Sequence, residues 1–228
     1  MKFIVFGLGT YGASLSSKLV VLGHEVIGVD KKIDLVEKWN HQITHTIALD
    51  ATSPDAIKAL PLKDVDAVIN AIGEDEGVNI MATALLVQNG VKRIICRVTS
   101  PLQQTVLEAM NVKEFVYPEG DSAERMAYKL DLKGVTDSFM IRSDKFKLIE
   151  IELPKRYVDK KIKEIDFLGR YHIQPVTIVR ETQNRNILGT VRTTRVVQGV
   201  LTPDTVLQQG DKLLLFGDVG DLERFMEE

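Results

Sequence analysis

A hexapeptide near the start of the chain, Gly7-Leu8-Gly9-Thr10-Tyr11-Gly12, has the glycine spacing of a phosphate-binding loop. It follows the apolar run Phe3–Phe6 and opens a segment whose leucines recur at helical spacing. In such a strand–loop–helix unit the first glycine allows a tight turn, the second lets the backbone approach a phosphate, and the third lets the helix pack closely on the strand. Amide groups at the helix N-terminus then point at the anion. The motif predicts a site for a mononucleotide or dinucleotide.

Asp30 lies roughly 20 residues beyond this loop, as the dinucleotide-binding fingerprint requires, and it ends a second apolar run, Glu25–Val29. A carboxylate at this position accepts hydrogen bonds from a ribose diol and repels a 2′-phosphate. The loop and Asp30 together predict an adenine nucleotide with a free 2′-hydroxyl. ADP or ATP is the first choice and NAD(H) is the second.

The elements that must position these residues alternate along the first half of the chain. The predicted strands are Phe3–Phe6, Glu25–Val29, His45–Leu49, Asp66–Ala71, Arg93–Val98 and Glu114–Tyr117. Helical segments separate them, and strands that alternate with helices form right-handed βαβ units around a parallel sheet. The sequence therefore predicts an α/β protein with a Rossmann-like parallel sheet.

Ligands of such sheets bind outside the carboxyl ends of the strands, where the strand order reverses. This rule nominates residues that directly follow four of the predicted strands: Asp30, Asp50, Ala71-Ile72-Gly73 and Arg97. We therefore expect these residues to line one crevice.

After Pro118 the pattern changes to a predicted helix, Glu119–Leu132, followed by a polar segment, Lys133–Asp137, that is interpreted as a linker. One face of the helix carries the apolar residues Ala123, Met126, Ala127 and Leu130. Because this helix follows the last strand of the parallel sheet, its apolar stripe needs another surface to cover it.

The last part of the chain has a period of two, which is typical of half-buried strands. Strands are predicted around Ile149–Leu153, Val176–Val179, Ile187–Val191 and Lys212–Gly217, with a polar turn at Gln183–Arg185 and a final helix at Asp221–Met226. We interpret this region as a smaller α+β lobe. The predicted domains are 1–135 and 139–228.

The composition limits the function classes. With 29 basic and 32 acidic residues the net charge is -3, which gives no electrostatic case for binding nucleic acid. A single cysteine, Cys96, cannot form an internal disulfide, which favours a reducing compartment. The first apolar run is too short for a signal peptide, and no run is long enough to span a bilayer. We expect a cytoplasmic protein.

Two stretches resemble the RCK, or KTN, family of potassium transport regulators. The segment FIVFGLGTYGASLSSKLVVLGHEVIGVD, residues 3–30, is similar to the opening of the family's nucleotide-binding TrkA-N domain. Residues 146–167 and 201–218 are similar to its C-terminal TrkA-C lobe. The resemblance implies the cytosolic gating subunit of a Ktr- or Trk-type potassium channel or transporter. Such subunits form homodimers that assemble into octameric rings on the inner face of the membrane, and their nucleotide state changes the shape of the ring.

The resemblance also implies which residues bind the nucleotide. They are Gly7, Gly9, Thr10, Tyr11, Gly12, Asp30, Lys31, Lys32, Asp50, Ala51, Thr52, Ala71, Ile72, Gly73 and Arg97. Thr10 stands where Ktr-type subunits often carry an arginine that reaches a terminal phosphate. Glu119 corresponds to a ligand of a divalent cation, Mg²⁺ or Ca²⁺, beside the phosphates. Some relatives bind cyclic di-AMP in the C-terminal lobe, but Leu168 stands where those relatives tend to have arginine.

A small NAD-dependent oxidoreductase is the alternative from a different class. Such an enzyme needs groups that act on the substrate beside the cofactor loop. The four histidines have no metal-ligand spacing, and no nucleophile–base pair stands out. The scarcity of such groups favours a regulatory module that is not an enzyme.

Overall fold

The computed structural model describes residues 1–132, 134–139, 141, 143, 145–185 and 191–227. They form two compact units, Met1–Glu119 and Gly120–Glu228. The division between these units falls before the predicted domain boundary at 135–139, because residues 120–132 group with the second unit. Where the functional domains divide stays a prediction.

The first unit is built from alternating strands and helices. Its strands are β1 (Lys2–Phe6), β2 (Glu25–Asp30), β3 (His45–Ala48), β4 (Ala67–Asn70), β5 (Ile94–Arg97) and β6 (Glu114–Val116). Its helices are α1 (Thr10–Val21), α2 (Ile33–Trp39), α3 (Pro54–Lys58), α4 (Glu76–Gln88) and α5 (Pro101–Ala109), and α6 (Pro118–Asp131) begins at its end. The six predicted strands are confirmed, with ends that shift by a residue or two.

The six strands form one parallel sheet in the order β3-β2-β1-β4-β5-β6. Ile4 and Phe6 pack into the core on one face, and Phe3 and Val5 pack into the core on the other. Burial on both faces explains why these strands are continuous apolar runs. The chain reverses its direction of winding between β1 and β4, so the crevice of this Rossmann-like sheet lies at their carboxyl ends.

The second unit is an antiparallel sheet with one long helix at each end of its sequence. Its strands are β7 (Val135–Phe139), β8 (Phe146–Glu152), β9 (Gln174–Arg185), β10 (Val191–Val197) and β11 (Lys212–Asp218), and α7 (Val219–Glu227) follows the last strand. The strand order is β10-β9-β11-β8-β7. Phe225 of α7 packs against Tyr157, Phe167 and Tyr171 at the centre of the core. The predicted α+β lobe is confirmed.

Two local predictions in this unit are wrong. Most of the predicted linker 133–137 belongs to β7, which pairs with β8 and buries Val135 and Ser138. The predicted turn Gln183–Arg185 instead extends β9, where Arg185 pairs with Val191 of β10. In both places backbone pairing with the next strand of the chain overrides a polar composition. Residues 187–190 of the predicted strand Ile187–Val191 lie outside the described residues. Among those that are described, no helix is long and apolar enough to cross a membrane.

Candidate functional site

The glycine loop makes the turn from β1 into α1, and its glycines have different reasons to lack a side chain. Gly7 has a φ of +89°, and a Cβ there would lie 3.0 Å from the Ile72 amide nitrogen. A Cβ on Gly12 would lie 1.9 Å from the Gly7 carbonyl oxygen. A Cβ on Gly9 would meet nothing within 4 Å. Gly7 and Gly12 are therefore required by the fold itself, whereas Gly9 leaves open space in front of the helix N-terminus.

Asp30, the last residue of β2, holds this loop in place. Its Oδ2 accepts a 2.7 Å hydrogen bond from the Leu8 amide, and its Oδ1 accepts a 2.8 Å bond from the Lys32 amide. The carboxylate is thus fixed beside the glycine loop, with lone pairs left for a second donor. This is the position from which a carboxylate can bind a ribose diol.

Lys32 and Glu74 bridge the crevice. Lys32 follows β2 and Glu74 follows β4, and their side chains form a 2.9 Å ion pair across the carboxyl end of the intervening β1. The hydrogen bond with Glu74 raises the pKa of Lys32, and the same bond lowers the pKa of Glu74. Both side chains are exposed, so a bound ligand can compete with this pair. Sequence reasoning missed this contact, which joins residues 42 positions apart.

The loop after β3 contributes less. Asp50 accepts hydrogen bonds of 2.8 and 2.7 Å from the amide and hydroxyl of Thr52, and the amide bond is the main reason why the pKa of Asp50 is lowered. Ala51 is buried and belongs to the hydrophobic core. Of the predicted residues in this loop, Asp50 and Thr52 therefore remain accessible to a ligand, whereas the Ala51 side chain does not.

Arg97, the last residue of β5, reaches back over the loop that follows β4. Its Nη1 donates to the Ala71 carbonyl oxygen at 3.4 Å, and its Nη2 forms an ion pair with Glu119 at the start of α6. A Cβ on Gly73 would lie 2.3 Å from the Arg97 Cζ, so the guanidinium occupies the space that a side chain at Gly73 would need. The structure thus brings four predicted residues, Ala71, Gly73, Arg97 and Glu119, into one group.

The remaining predicted residues lie on the same edge of the sheet. Ile72 and Tyr11 are partly buried and pack against the cores on opposite faces of the sheet. Thr10 and Lys31 are exposed. All the predicted site residues therefore belong to strand ends, loops or helix starts at the carboxyl edge of the sheet, which is where the sequence pattern expects them.

A layer of buried neutral polar side chains underlies this edge, and sequence reasoning missed it. Asn79 donates to the Ile72 carbonyl oxygen at 2.7 Å and to the Arg97 carbonyl oxygen at 3.3 Å. Asn70 donates to the Asn79 carbonyl oxygen at 2.9 Å, and Gln103 donates to the Arg97 carbonyl oxygen at 3.3 Å. The amides of Asn79 and Gln103 thus satisfy carbonyl groups just beyond β4 and at the end of β5, whereas the amide of Asn70 binds the backbone of α4. An asparagine at the end of the apolar run Ala67-Val68-Ile69-Asn70 was the available signal.

No group of three or more His, Cys, Asp or Glu side chains within the described ranges is arranged to hold a metal ion. Glu119 supplies a single carboxylate, and its side chain is 64% exposed. One carboxylate suits a cation whose other ligands are phosphate oxygens and water, as is common for Mg²⁺. The role of Glu119 as a metal ligand stays a prediction.

A glycine loop, a fixed carboxylate at the end of β2 and a strand-order reversal define a nucleotide-binding Rossmann-like protein class. Comparison with known proteins narrows this class. Residues 3–118 match the TrkA-N domain. The Ktr system potassium uptake protein C of Bacillus subtilis (strain 168) is 30% identical over 224 residues, which are 98% of this chain and 95% of that protein. The chain belongs to the TrkA-N, or RCK, family of potassium uptake proteins, as the resemblance in the sequence predicted.

Two solved structures share the fold of the whole chain. The GsuK RCK domain superposes with a TM-score of 0.65 and 17% identity over 100% of this chain and 48% of that chain. The GsuK channel bound to NAD superposes with a TM-score of 0.62 and 16% identity over 97% of this chain and 38% of that chain. This chain thus spans about half, or less, of the GsuK chains that it matches.

Proposed function

We propose that the chain is a nucleotide-binding regulatory subunit of a membrane potassium channel or transporter, and that it is not itself an enzyme. The observation that carries the proposal is the glycine loop with Asp30 fixed beside it at the reversal of strand order. The relatives named as potassium uptake proteins support the regulatory role. Nucleotide binding would shift an equilibrium between two conformations, and it can do so only by its differential affinity for them.

The proposed ligand is ADP or ATP, with NAD(H) as the second choice. Asp30 supports a ligand with a free 2′-hydroxyl, because a 2′-phosphate beside this carboxylate would be repelled. The open space at Gly9 and the exposed helix start at Thr10 suit a phosphate group. A related channel solved with NAD keeps the dinucleotide as the second candidate.

Calorimetric titration with ATP, ADP, AMP, NADH and NADPH tests this proposal. We expect binding of ADP or ATP, weaker binding of NADH, and no measurable binding of NADPH. Asp30→Ala should weaken every ligand that carries a ribose diol, because the diol loses its acceptor. Asp34→Ala, an exposed position on α2, is the matched control and should bind like the wild type. A preference for NADPH would refute the role of Asp30.

We further propose that α6 builds a homodimer, and that dimers assemble into an octameric ring. The whole apolar stripe of α6, Ala123, Met126, Ala127 and Leu130, is exposed in the single chain. Met126 is 53% exposed and Leu130 is 78% exposed. A second copy of the chain would remove these side chains from water, and obligate interfaces are typically apolar in this way.

Light scattering after size exclusion measures this assembly. Leu130→Asp and Met126→Glu should break the dimer, because each would bury a charge at the apolar interface. Leu102→Asp on α5 is the control, since Leu102 is equally exposed, at 74%, but lies on a different helix. A well-folded wild-type monomer at micromolar concentration, with or without nucleotide, would show that the dimer model is wrong.

The proposed location is the cytoplasmic face of the membrane, where the protein would be held by a Ktr- or Trk-type potassium channel subunit. Purification from membrane fractions tests this partner against the alternative of a small NAD-dependent oxidoreductase. Recovery of a potassium channel subunit supports the regulatory role. Turnover of a nicotinamide cofactor with a small substrate, and no membrane partner, would support the enzyme instead.

Two further ligands belong to this proposal. A divalent cation, Mg²⁺ or Ca²⁺, would bind Glu119 only beside bound phosphates, because one carboxylate alone is a weak site. Cyclic di-AMP is the less favoured of the two, because Leu168, which is 68% exposed, stands where relatives that bind it in the C-terminal lobe tend to have arginine and offers no charge to a phosphate. Calorimetry with Mg²⁺ in the presence and absence of ADP, and with cyclic di-AMP alone, tests both.

A further inference from the structure

The ion pair between Arg97 and Glu119 connects the nucleotide crevice to α6. Arg97 is mostly buried, with a side chain 17% exposed, whereas the Glu119 side chain is 64% exposed. The Arg97 guanidinium packs over Gly73 and donates a hydrogen bond to the Ala71 carbonyl oxygen, and these two contacts fix its position. Its Nε is buried and makes no hydrogen bond with any described residue. The arginine is therefore the fixed partner, and Glu119 is the partner that can leave.

The guanidinium also lies within reach of a phosphate on the glycine loop. Neighbouring strands are about 4.8 Å apart, so β5 lies roughly 10 Å from β1, with β4 between them. Arg97 covers about half of this separation by reaching back to Ala71. The loop at Ala71 and Ile72 in turn touches the Gly7 backbone, since a Cβ on Gly7 would lie within 3.2 Å of both residues. The far phosphate of a diphosphate can span the remaining distance.

We propose that Arg97 exchanges Glu119 for a nucleotide phosphate, and that this exchange releases the first turn of α6. A phosphate carries more charge than a carboxylate and presents oxygens that match the guanidinium fork. It therefore displaces a single, largely exposed carboxylate. Glu119 is the second residue of α6, so the loss of its bond to Arg97 frees the start of this helix. In this way nucleotide binding in the crevice changes the helix that leads into the second unit. This inference rests on the proposed binding of ADP or ATP.

The exchange predicts the direction in which removal of Glu119 changes the affinity for ADP. In the absence of divalent cations Glu119 competes with the nucleotide, so its removal strengthens binding. If Glu119 instead assisted binding under these conditions, its removal would weaken it. Titration of ADP in excess EDTA separates the two cases, because no cation is then present to bridge the carboxylate and the phosphate.

The test compares Glu119→Gln with Glu114→Gln. Glu114 forms an ion pair with Arg93, with bonds of 2.8 and 2.7 Å, at the amino ends of β5 and β6. Both variants remove one negative charge and one arginine partner, but Glu114 lies away from the crevice. In EDTA, Glu119→Gln should bind ADP about two- to fivefold more tightly than the wild type, the range expected for loss of an exposed ion pair. Glu114→Gln should bind ADP as the wild type does.

Hydrogen exchange of the segment 118–126 gives a second measurement. ADP should accelerate exchange there in the wild type, whereas Glu119→Gln should exchange at the faster rate without ADP and should not respond to it. Unchanged or weaker ADP binding by Glu119→Gln in EDTA would overturn the exchange while leaving nucleotide binding intact. Absence of ADP binding by the wild type would instead overturn the proposed nucleotide and the exchange with it.

Discussion

The two units of this protein bury their polar groups in different ways. Among the described residues, the buried polar side chains of the first unit are all neutral: Ser16, Asn70, Asn79, Thr83 and Gln103. The second unit buries three charged side chains, Lys147, Glu150 and Asp211, besides Ser138 and Thr177. The first unit thus buries only neutral polar side chains among the described residues, whereas the second also buries charged ones.

This difference in buried polar groups matches what surrounds each sheet: the proposed nucleotide crevice in the first unit, and pairs between strands in the second. Below the crevice, neutral amides satisfy the carbonyl groups at the strand ends without placing a fixed charge under the anion site. The charges of the first unit stay near its surface, where a ligand can reach Lys32 or Arg97. In the second unit the buried charges join strands to one another: Asp211 binds Arg180 of β9, and Glu150 of β8 binds Arg195 of β10. We therefore expect stability to depend on charge mainly in the second unit.

The largest expected effect comes from the Arg180–Asp211 pair. Both Asp211 oxygens bind the guanidinium, at 2.7 and 2.8 Å, and Asp211 also accepts a bond from the Gln208 amide. Removing one partner of a buried pair costs about 3–5 kcal/mol. Asp211→Ala should lower the free energy of unfolding by about that amount in denaturant titrations. Glu181→Ala removes the exposed partner of Lys212 from the same sheet and should change the free energy of unfolding far less, because exposed ion pairs contribute little.

Substitutions at two glycines of the loop should affect stability and nucleotide binding differently. Gly12→Ala would place a Cβ against the Gly7 carbonyl oxygen, so it should destabilise the first unit by about 1–3 kcal/mol and abolish nucleotide binding. Gly9→Ala meets open space and has an ordinary φ of -65°, so the melting temperature should not change. Its Cβ should nevertheless obstruct a phosphate and weaken ADP binding about tenfold. Equal loss of stability in both variants would contradict this division.

Cys96 tests whether the first unit indeed tolerates only neutral buried groups. Burial raises the pKa of the Cys96 thiol to about 11. The thiolate is the reactive form, so a disulfide reagent at pH 8 should label the folded protein far more slowly than the protein in denaturant. Because the folded state keeps this proton after the unfolded state has lost it, stability should fall as the pH rises above about 9. Rapid labelling of the folded protein would show an accessible thiolate.

The smallest expected effect concerns the exposed pair between α6 and β7. The hydrogen bond from Arg125 lowers the pKa of Asp137, so the pair stabilises the fold above the ordinary pKa of the carboxyl group and is lost as the pH falls below it. Arg125→Gln should cost about 0.5–1 kcal/mol at pH 7, and this cost should shrink as the pH falls through the lowered pKa of Asp137. Lys129→Gln removes the same charge from an exposed position of α6 and serves as the control. A difference that does not shrink as the pH is lowered would point to packing rather than charge.

Much of the first unit could be predicted from the sequence, because its signals are local. A doubly buried parallel strand is a continuous apolar run, and the glycine loop and Asp30 have a fixed spacing along the chain. The carboxyl ends of parallel strands share one edge, so the order of strands and helices alone nominated the crevice residues. The same reasoning failed at β7 and at the end of β9, where polar residues form strands because the next strand of the chain pairs with them.

The tertiary structure alone decided which charged and polar groups meet. Lys32 and Glu74 are 42 residues apart, and Arg97 and Glu119 are 22 residues apart. Asn79, in the first turn of α4, reaches the carbonyl groups of Ile72, just beyond β4, and of Arg97, at the end of β5. Local propensity carries no information about such contacts, because they depend on the strand order and on the direction of each side chain. The sequence by itself predicted which edge of the sheet would bind a nucleotide, and the packing of the loops decided which charged side chains meet there.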